Sequence, residues 1–138
     1  MFKKKGRQVN PEQVIIPAGH PNPPEPHEVD AAWLLASHYH TTVQFLIPVD
    51  DYMRKSADVV MLGVQWEIKS PKGDSKTTIG NQFQFATKQS KRIILDTRRT
   101  KLDYEYIVKK VLIEIKKRSS IKKVVLIDKS GKIIEIKK

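Results

Sequence analysis

Asp58-Val-Val-Met-Leu-Gly63-Val-Gln-Trp-Glu67-Ile-Lys69 reads as two short strands joined at a glycine. Residues 57–62 and 64–70 are β-branched or aromatic-rich runs, and Gly63 between them is a hairpin signal whose turn type the sequence leaves open. Glu67 and Lys69 are two apart, so both side chains leave one face of the second strand. Asp58 enters from the start of the neighbouring strand. Two carboxylates and a lysine converging on a sheet suit a hard divalent cation and an attacked phosphodiester: the carboxylates offer oxygen ligands, and the lysine orients water or neutralises developing charge. The plain alternative is that Glu67 and Lys69 are the solvent face of an amphipathic strand, which is how an isolated Glu-x-Lys in a lysine-rich chain ordinarily arises.

Beyond this hairpin come Ser70-Pro-Lys-Gly73, then Ile79, Asn81, Ala86, Gln89-Ser90 and Ile93-Ile-Leu-Asp96. Asp58…Glu67-x-Lys69 resembles the D…(D/E)-x-K signature of the PD-(D/E)XK nuclease superfamily. The block from Trp66 to Asp96 is similar to one branch, the C-terminal tRNA-nuclease domain of CdiA, the toxin of contact-dependent growth inhibition. The similarity runs from about His27 to Lys138 and is densest from Asp58 to Asp96. It implies a restriction-endonuclease-like core and a metal-dependent nuclease. Mg²⁺ or Mn²⁺ would lie on Asp58, Glu67 and the carbonyl of Ile68, with Lys69 placing the attacking water or steadying charge on the phosphorus. It also implies an immunity or antitoxin partner.

Composition is consistent with that expectation. The chain has 138 residues, enough for one domain. It has no cysteine, which removes disulfides, zinc-thiolate sites and cysteine nucleophiles. No apolar run is long enough for a membrane span, and the basic N-terminus, Met-Phe-Lys-Lys-Lys-Gly-Arg, lacks the apolar region of a secretory signal. A chain that starts at Met1 with only a proline-rich arm is expected to be a small protein in its own right: an orphan toxin, a mobile-element nuclease or a host-defence factor. It is expected to act in the cytoplasm, with delivery into another cell left open.

The formal charge of +11 is unevenly spread. Residues 1–70 hold 7 Lys/Arg against 8 Asp/Glu, whereas residues 71–138 hold 19 against 7, a net of +12. A near-neutral half bearing the carboxylates and a basic half fit a site that takes a cation and a polyanion together. Such charge speeds association with nucleic acid and gives sequence-blind affinity. Any immunity or antitoxin protein covering the basic half is expected to be acidic.

Residues 1–26 hold six of the eight prolines and read as an extended, basic arm, with 14–16 able to pin it as an edge strand. His20 and His27 read as solvated loop residues. The remainder, 27–138, reads as a single nuclease domain. Residues 27–40 have helical period, with Val29, Trp33, Ala36 and His40 in one stripe and Glu28, Ala32, Leu35 and Tyr39 in the next. Glu28 is either a first-turn carboxylate complementing the helix dipole or, as the resemblance implies, a third acidic member beside Asp58 and Glu67. Residues 43–47 form a strand stopped at Pro48, and Asp50-Asp51 belong to a solvated connection.

Ser75 is expected to cap a helix over 76–90, with Ile79, Phe83 and Ala86 as its apolar stripe. Gln82 and Gln89, seven apart, would share a face that either holds substrate or water or is simply the polar side of the helix. Lys72, Lys76, Lys88, Arg98, Arg99 and Lys101 are the candidate phosphate contacts. Residues 93–96 are a buried strand, and Asp103 opens a helix whose apolar face carries Ile107, Val108, Val111, Leu112 and Ile115. Two strands, 122–128 and 132–136, turn at Gly131. The order α-β-β-β-α-β-α-β-β is an α/β (α+β) architecture, a mixed sheet between helices, and it matches the PD-(D/E)XK core. The favoured substrate is tRNA. The alternatives are a DNA endonuclease of the restriction or resolvase kind, or a non-catalytic nucleic-acid-binding module.

Overall fold

The structure, a computed structural model, describes residues 11–20, 22–47 and 58–136. Residues 1–10 of the arm and the Asp50-Asp51 pair lie outside the described residues.

The strands β1 (Gln13–Ile15), β2 (Thr42–Phe45), β3 (Val59–Met61), β4 (Val64–Lys69), β5 (Arg92–Asp96), β6 (Lys123–Ile127) and β7 (Ile133–Ile136) form one sheet in that spatial order. Pairing is parallel for β1–β2, β4–β5 and β5–β6, and antiparallel for β2–β3, β3–β4 and β6–β7. Three helices cover it: α1 (Pro26–Tyr39), α2 (Thr78–Ala86) and α3 (Tyr104–Lys117). The expected mixed sheet and helices are present, and the arm contributes the edge strand, which His20 helps to fix. His20 Nδ1 accepts the N–H of Asn22, so its Nε2–H donates to the Leu46 carbonyl at 3.1 Å.

The core divides at the sheet plane. Ala31, Leu35 and Ala36 of α1 pack on Val43, Val59, Met61, Trp66 and Ile68, together with Ile94 and Val125. On the other face, Ile79 and Phe83 of α2 and Ile107, Val111 and Ile115 of α3 pack on Ile93, Leu95, Val124 and Leu126. Alternate residues of β5 and β6 thus enter opposite cores. That is why these strands read as unbroken apolar runs and not as polar–apolar alternation.

The hairpin turns at Leu62 (φ 55°) and Gly63 (φ 77°). Two successive positive φ values are the type I′ geometry, whose twist matches that of the flanking strands. Trp33, expected in the buried stripe of α1, is instead 46% exposed, and the small residues Ala31 and Ala32 take the core side. Leu112, expected on the apolar face of α3, is also exposed, while Glu114 is buried. Burial opposes ionisation of Glu114, but Arg118 at 2.7 Å and Lys117 at 3.3 Å outweigh it and hold the carboxyl below its ordinary range.

Helix α2 is shorter than expected. Thr77, not Ser75, occupies its N-cap, and the helix stops at Ala86. Thr87 donates its hydroxyl to the Phe83 carbonyl at 2.9 Å, while the amides of Lys88 and Gln89 reach back only three residues. The Phe83 carbonyl accepts the Thr87 N–H as well, at 3.1 Å, and beyond it the last turn tightens. Gln89 therefore lies beyond the helix, and Gln82 and Gln89 do not share a helical face.

Candidate active site

The site is built on the central hairpin. Trp66 and Ile68 face α1, so Glu67 and Lys69 project from the opposite face of β4. Val59 and Met61 also face α1, which puts Asp58, one residue before β3, on the side of Glu67. The Asp58 backbone is tied into the sheet on both flanks: its amide donates to the Trp66 carbonyl at 3.0 Å, and its carbonyl accepts from Leu46 at 2.8 Å. The Asp58 side chain reaches across to β4, where Oδ2 accepts the Ile68 N–H at 2.9 Å.

Glu67 is only 2% exposed. Its Oε2 pairs with Lys69 Nζ at 3.2 Å, whereas Oε1 has no donor among the described residues. The group Glu67 meets is the Asp58 carboxyl, another acceptor, and two acceptors bond only through a shared proton. Burial first, and the negative Asp58 second, push the Glu67 carboxyl up to about 8 against the opposing pull of Lys69. Burial also raises Asp58, against the Ile68 N–H and the Lys69 charge. A buried carboxylate oxygen without a donor, beside a second carboxyl and an ammonium, is an arrangement that a cation would complete. Its unmet acceptor capacity is where a cation would take the place of the shared proton.

Among the described residues no group of three or more acidic or histidine side chains is close enough to hold a metal ion. Glu28 is near enough to act on the charge of Asp58, but its Oε1 accepts the N–H of the N-cap residue Glu25 at 2.8 Å. Glu28 thus holds the start of α1, and it does not form a three-carboxylate group with Asp58 and Glu67.

A cleft of about 340 Å³ opens beside Lys69, lined by Glu25, His27, Glu28, Ile68, Lys69, Ser70, Lys72 and Arg99. Of the candidate phosphate contacts it gathers Lys72 and Arg99. Arg98 is committed elsewhere: its guanidinium makes a bidentate pair with Asp96, at 2.9 and 2.8 Å, and donates to the His27 carbonyl at 3.0 Å. It braces the end of β5 against the start of α1, which replaces the expected phosphate contact. Lys76 and Lys101 line a neighbouring hollow, and Lys88 lies over the ring of Phe85, 5.5 Å from its centre. Gln82 is half-buried on α2.

Three cleft-lining residues, Glu25, His27 and Ser70, are not among the candidate site residues, although Ser70 opens the Ser70-Pro-Lys-Gly73 flank of the hairpin. His27, expected to be a solvated loop residue, is in the first turn of α1 with Arg99 Nη1 2.7 Å from its Nε2, while the same Nη1 also donates to the Ser70 carbonyl at 3.3 Å. Because a guanidinium only donates, Nε2 accepts. Ser70 has a buried hydroxyl with no partner among the described residues. Pro26, fitted to the first helical position, agrees with the helical period that begins at residue 27. Gly73 at the cleft margin is required by packing, since a Cβ there would meet the Thr78 hydroxyl at 2.8 Å.

The family model of the contact-dependent growth inhibition CdiA C-terminal domain matches residues 55–133. Asp58, Glu67 and Lys69 lie inside that match, and Glu28 and His27 lie before it. The fold is similar to a solved chain from the "CdiA-CT/CdiI toxin and immunity complex from Burkholderia pseudomallei", with a TM-score of 0.60, 17% identity, and coverage of 91% of this chain and 99% of that one. At that identity the likeness is one of fold. No curated protein sequence matches the chain.

Proposed function

Because this chain belongs to the contact-dependent growth inhibition CdiA C-terminal domain family, we propose that it is a toxic effector that acts as a metal-dependent nuclease of the PD-(D/E)XK type, with tRNA as its first substrate. The observation that carries the proposal is the buried Glu67 carboxyl, one oxygen on Lys69 and the other without a donor, facing the Asp58 carboxyl. A polar group so placed costs stability in the isolated chain, and chemistry at that oxygen would account for the cost.

Asp58, Glu67 and the Ile68 carbonyl would hold Mg²⁺ or Mn²⁺, which when bound supplies Lewis-acid stabilisation of charge on the phosphate. Lys69, 24% exposed at the cleft edge, directs its ammonium to where that charge develops. Arg99 and Lys72 line the same cleft and would position the phosphodiester. Gln82, half-buried on the neighbouring helix, is retained as a candidate substrate contact. Hydrolysis would leave a phosphate and a hydroxyl at the cut, whereas attack by the RNA 2′-hydroxyl would leave a cyclic phosphate, so the chemistry of the ends separates the two routes. Among the described residues no helix is long and apolar enough to cross a membrane, and action on tRNA places the toxin in the cytoplasm of a recipient cell. The solved neighbour comes from a toxin and immunity complex; the counterpart here would be an acidic protein covering the basic half of the chain.

The test is cleavage of total tRNA, plasmid and single-stranded DNA in Mg²⁺, with Glu67→Ala and EDTA as controls. Discrete tRNA fragments that vanish in both controls are the expected result. Cutting of DNA alone moves the function to DNA processing. Salt-sensitive binding without any cleavage leaves a binding module and overturns the catalytic reading.

A further inference from the structure

A second hollow, about 420 Å³, lies beside the cleft and is lined by Asp74, Ser75, Lys76, Lys101, Leu102, Asp103 and Tyr106. Its walls continue the walls of the cleft. The segment after β4 gives Lys72 to the cleft and Asp74 to the hollow, and the segment after β5 gives Arg99 to the cleft and Lys101 to the hollow. Each step is two residues, at most ~7 Å of extended chain. Thr100 fastens the two segments together by donating its hydroxyl to the Gly73 carbonyl. The Tyr106 hydroxyl approaches the Lys76 carbonyl at 3.5 Å, which sets the tyrosine of α3 against the other wall.

The chemistry of this hollow differs from that of the cleft. The cleft is polar and is reached by Lys69, with Glu67 buried behind that lysine. The hollow is lined by an aromatic ring and an aliphatic side chain, Tyr106 and Leu102, by a lysine from each wall, and by Asp74 and Asp103. An apolar platform flanked by cations suits an unstacked base whose neighbouring phosphates are neutralised from both sides. The two carboxylates of the lining suit the exocyclic N–H groups of a base. At about 420 Å³ the hollow is at the small end of the range for ligand sites, roughly 300–1,000 Å³, a size that suits one nucleotide.

We infer that this hollow is a subsite for one unpaired nucleotide flanking the scissile phosphate, with Tyr106 stacking on the base and Lys76 and Lys101 holding the phosphates. The inference rests on the nuclease reading and specifies its substrate: the strand must be single-stranded, as in a loop or an end, where it crosses the two walls.

The experiment uses the full chain carrying Glu67→Gln, so that RNA is not consumed. Tetraribonucleotides with 2-aminopurine at each position in turn are the probes, because stacking on an aromatic ring quenches the fluorescence of that base. Quenching at one position, weakened about tenfold in apparent affinity by Tyr106→Ala and kept by Tyr106→Phe and Tyr106→Trp, is expected. Retention by Tyr106→Phe separates stacking from a structural role of the hydroxyl on Lys76. No quenching at any position, or quenching unchanged in Tyr106→Ala, overturns the subsite. Because the readout is binding, a protein that fails to cut tRNA but quenches as described refutes the nuclease reading and not the subsite.

Discussion

The Ile68 N–H donates to Asp58 Oδ2 at 2.9 Å, so one carboxylate of the candidate site also holds the strand that carries the other. Asp58→Asn keeps an acceptor for that N–H and removes the charge. Asp58→Ala leaves the N–H without its partner, at about 1–3 kcal/mol. Cleavage is expected to fall at least about a hundredfold in both variants. A denaturant titration should separate them, with only Asp58→Ala losing stability. Equal loss in both would mean that the Ile68 bond is not what Asp58 contributes to the fold.

Burial and the Asp58 charge push the Glu67 carboxyl up to about 8 in the cation-free protein, from an ordinary value of 4.5. A folded-state value above the unfolded one means that the folded protein binds the proton more tightly. That contribution to stability is complete below about 4.5 and is lost as pH rises through about 8. In EDTA, melting temperature should therefore decline between these limits, and Glu67→Gln should flatten the decline. Mg²⁺ at pH 8 should restore the wild type by binding the folded state and leave Glu67→Gln little changed. A cation-free melting curve that is flat with pH would argue against the burial assigned to Glu67.

Asp96 is fully buried and its charge is met by Arg98. Removing one member of such a pair leaves an uncompensated charge, so Arg98→Ala should cost about 3–5 kcal/mol. Arg98→Lys should recover little, because an ammonium cannot span both Asp96 oxygens and the His27 carbonyl as the planar fork does. Calorimetry checks both variants. Native-like stability in Arg98→Ala would return this arginine to the set of free phosphate contacts.

Much of this architecture is legible in the chain itself, for identifiable reasons. Strands β5 and β6 are buried on both faces and so carry apolar runs with no competing period, and Glu67 and Lys69 share a face by the two-residue repeat of any strand. Where the reading departs from the structure, a tertiary partner decides. Helix α2 stops at Ala86, where the amides of Lys88 and Gln89 turn to carbonyls three residues back, and this separates Gln89 from Gln82. Arg98 and Arg99 look alike in sequence, yet one meets a buried carboxylate and the other a cleft histidine. Trp33 gives way to alanines because α1 lies close to the sheet, where small side chains fit. His27 and Tyr106 are distant in sequence from the residues they meet, Arg99 and Lys76, and only the folded chain brings them together.

Of the basic residues beside the cleft and hollow, some are committed to bracing the fold and others are exposed, and salt dependence of binding tests the exposed ones. Lys72, Lys76 and Lys101 are exposed, so alanine there should change stability by no more than about 0.5 kcal/mol. Each substitution should weaken tRNA binding and reduce the slope of log affinity against log salt by about 1, the signature of one lost phosphate contact. Lys88, engaged with Phe85, serves as the comparison: if it lies off the path of the strand, Lys88→Ala leaves the slope unchanged. Fluorescence anisotropy over a salt series, on the Glu67→Gln background, measures all four. A slope that falls equally for Lys88→Ala would describe a diffuse basic surface and remove the argument that the strand follows the two walls from Lys72 to Lys101.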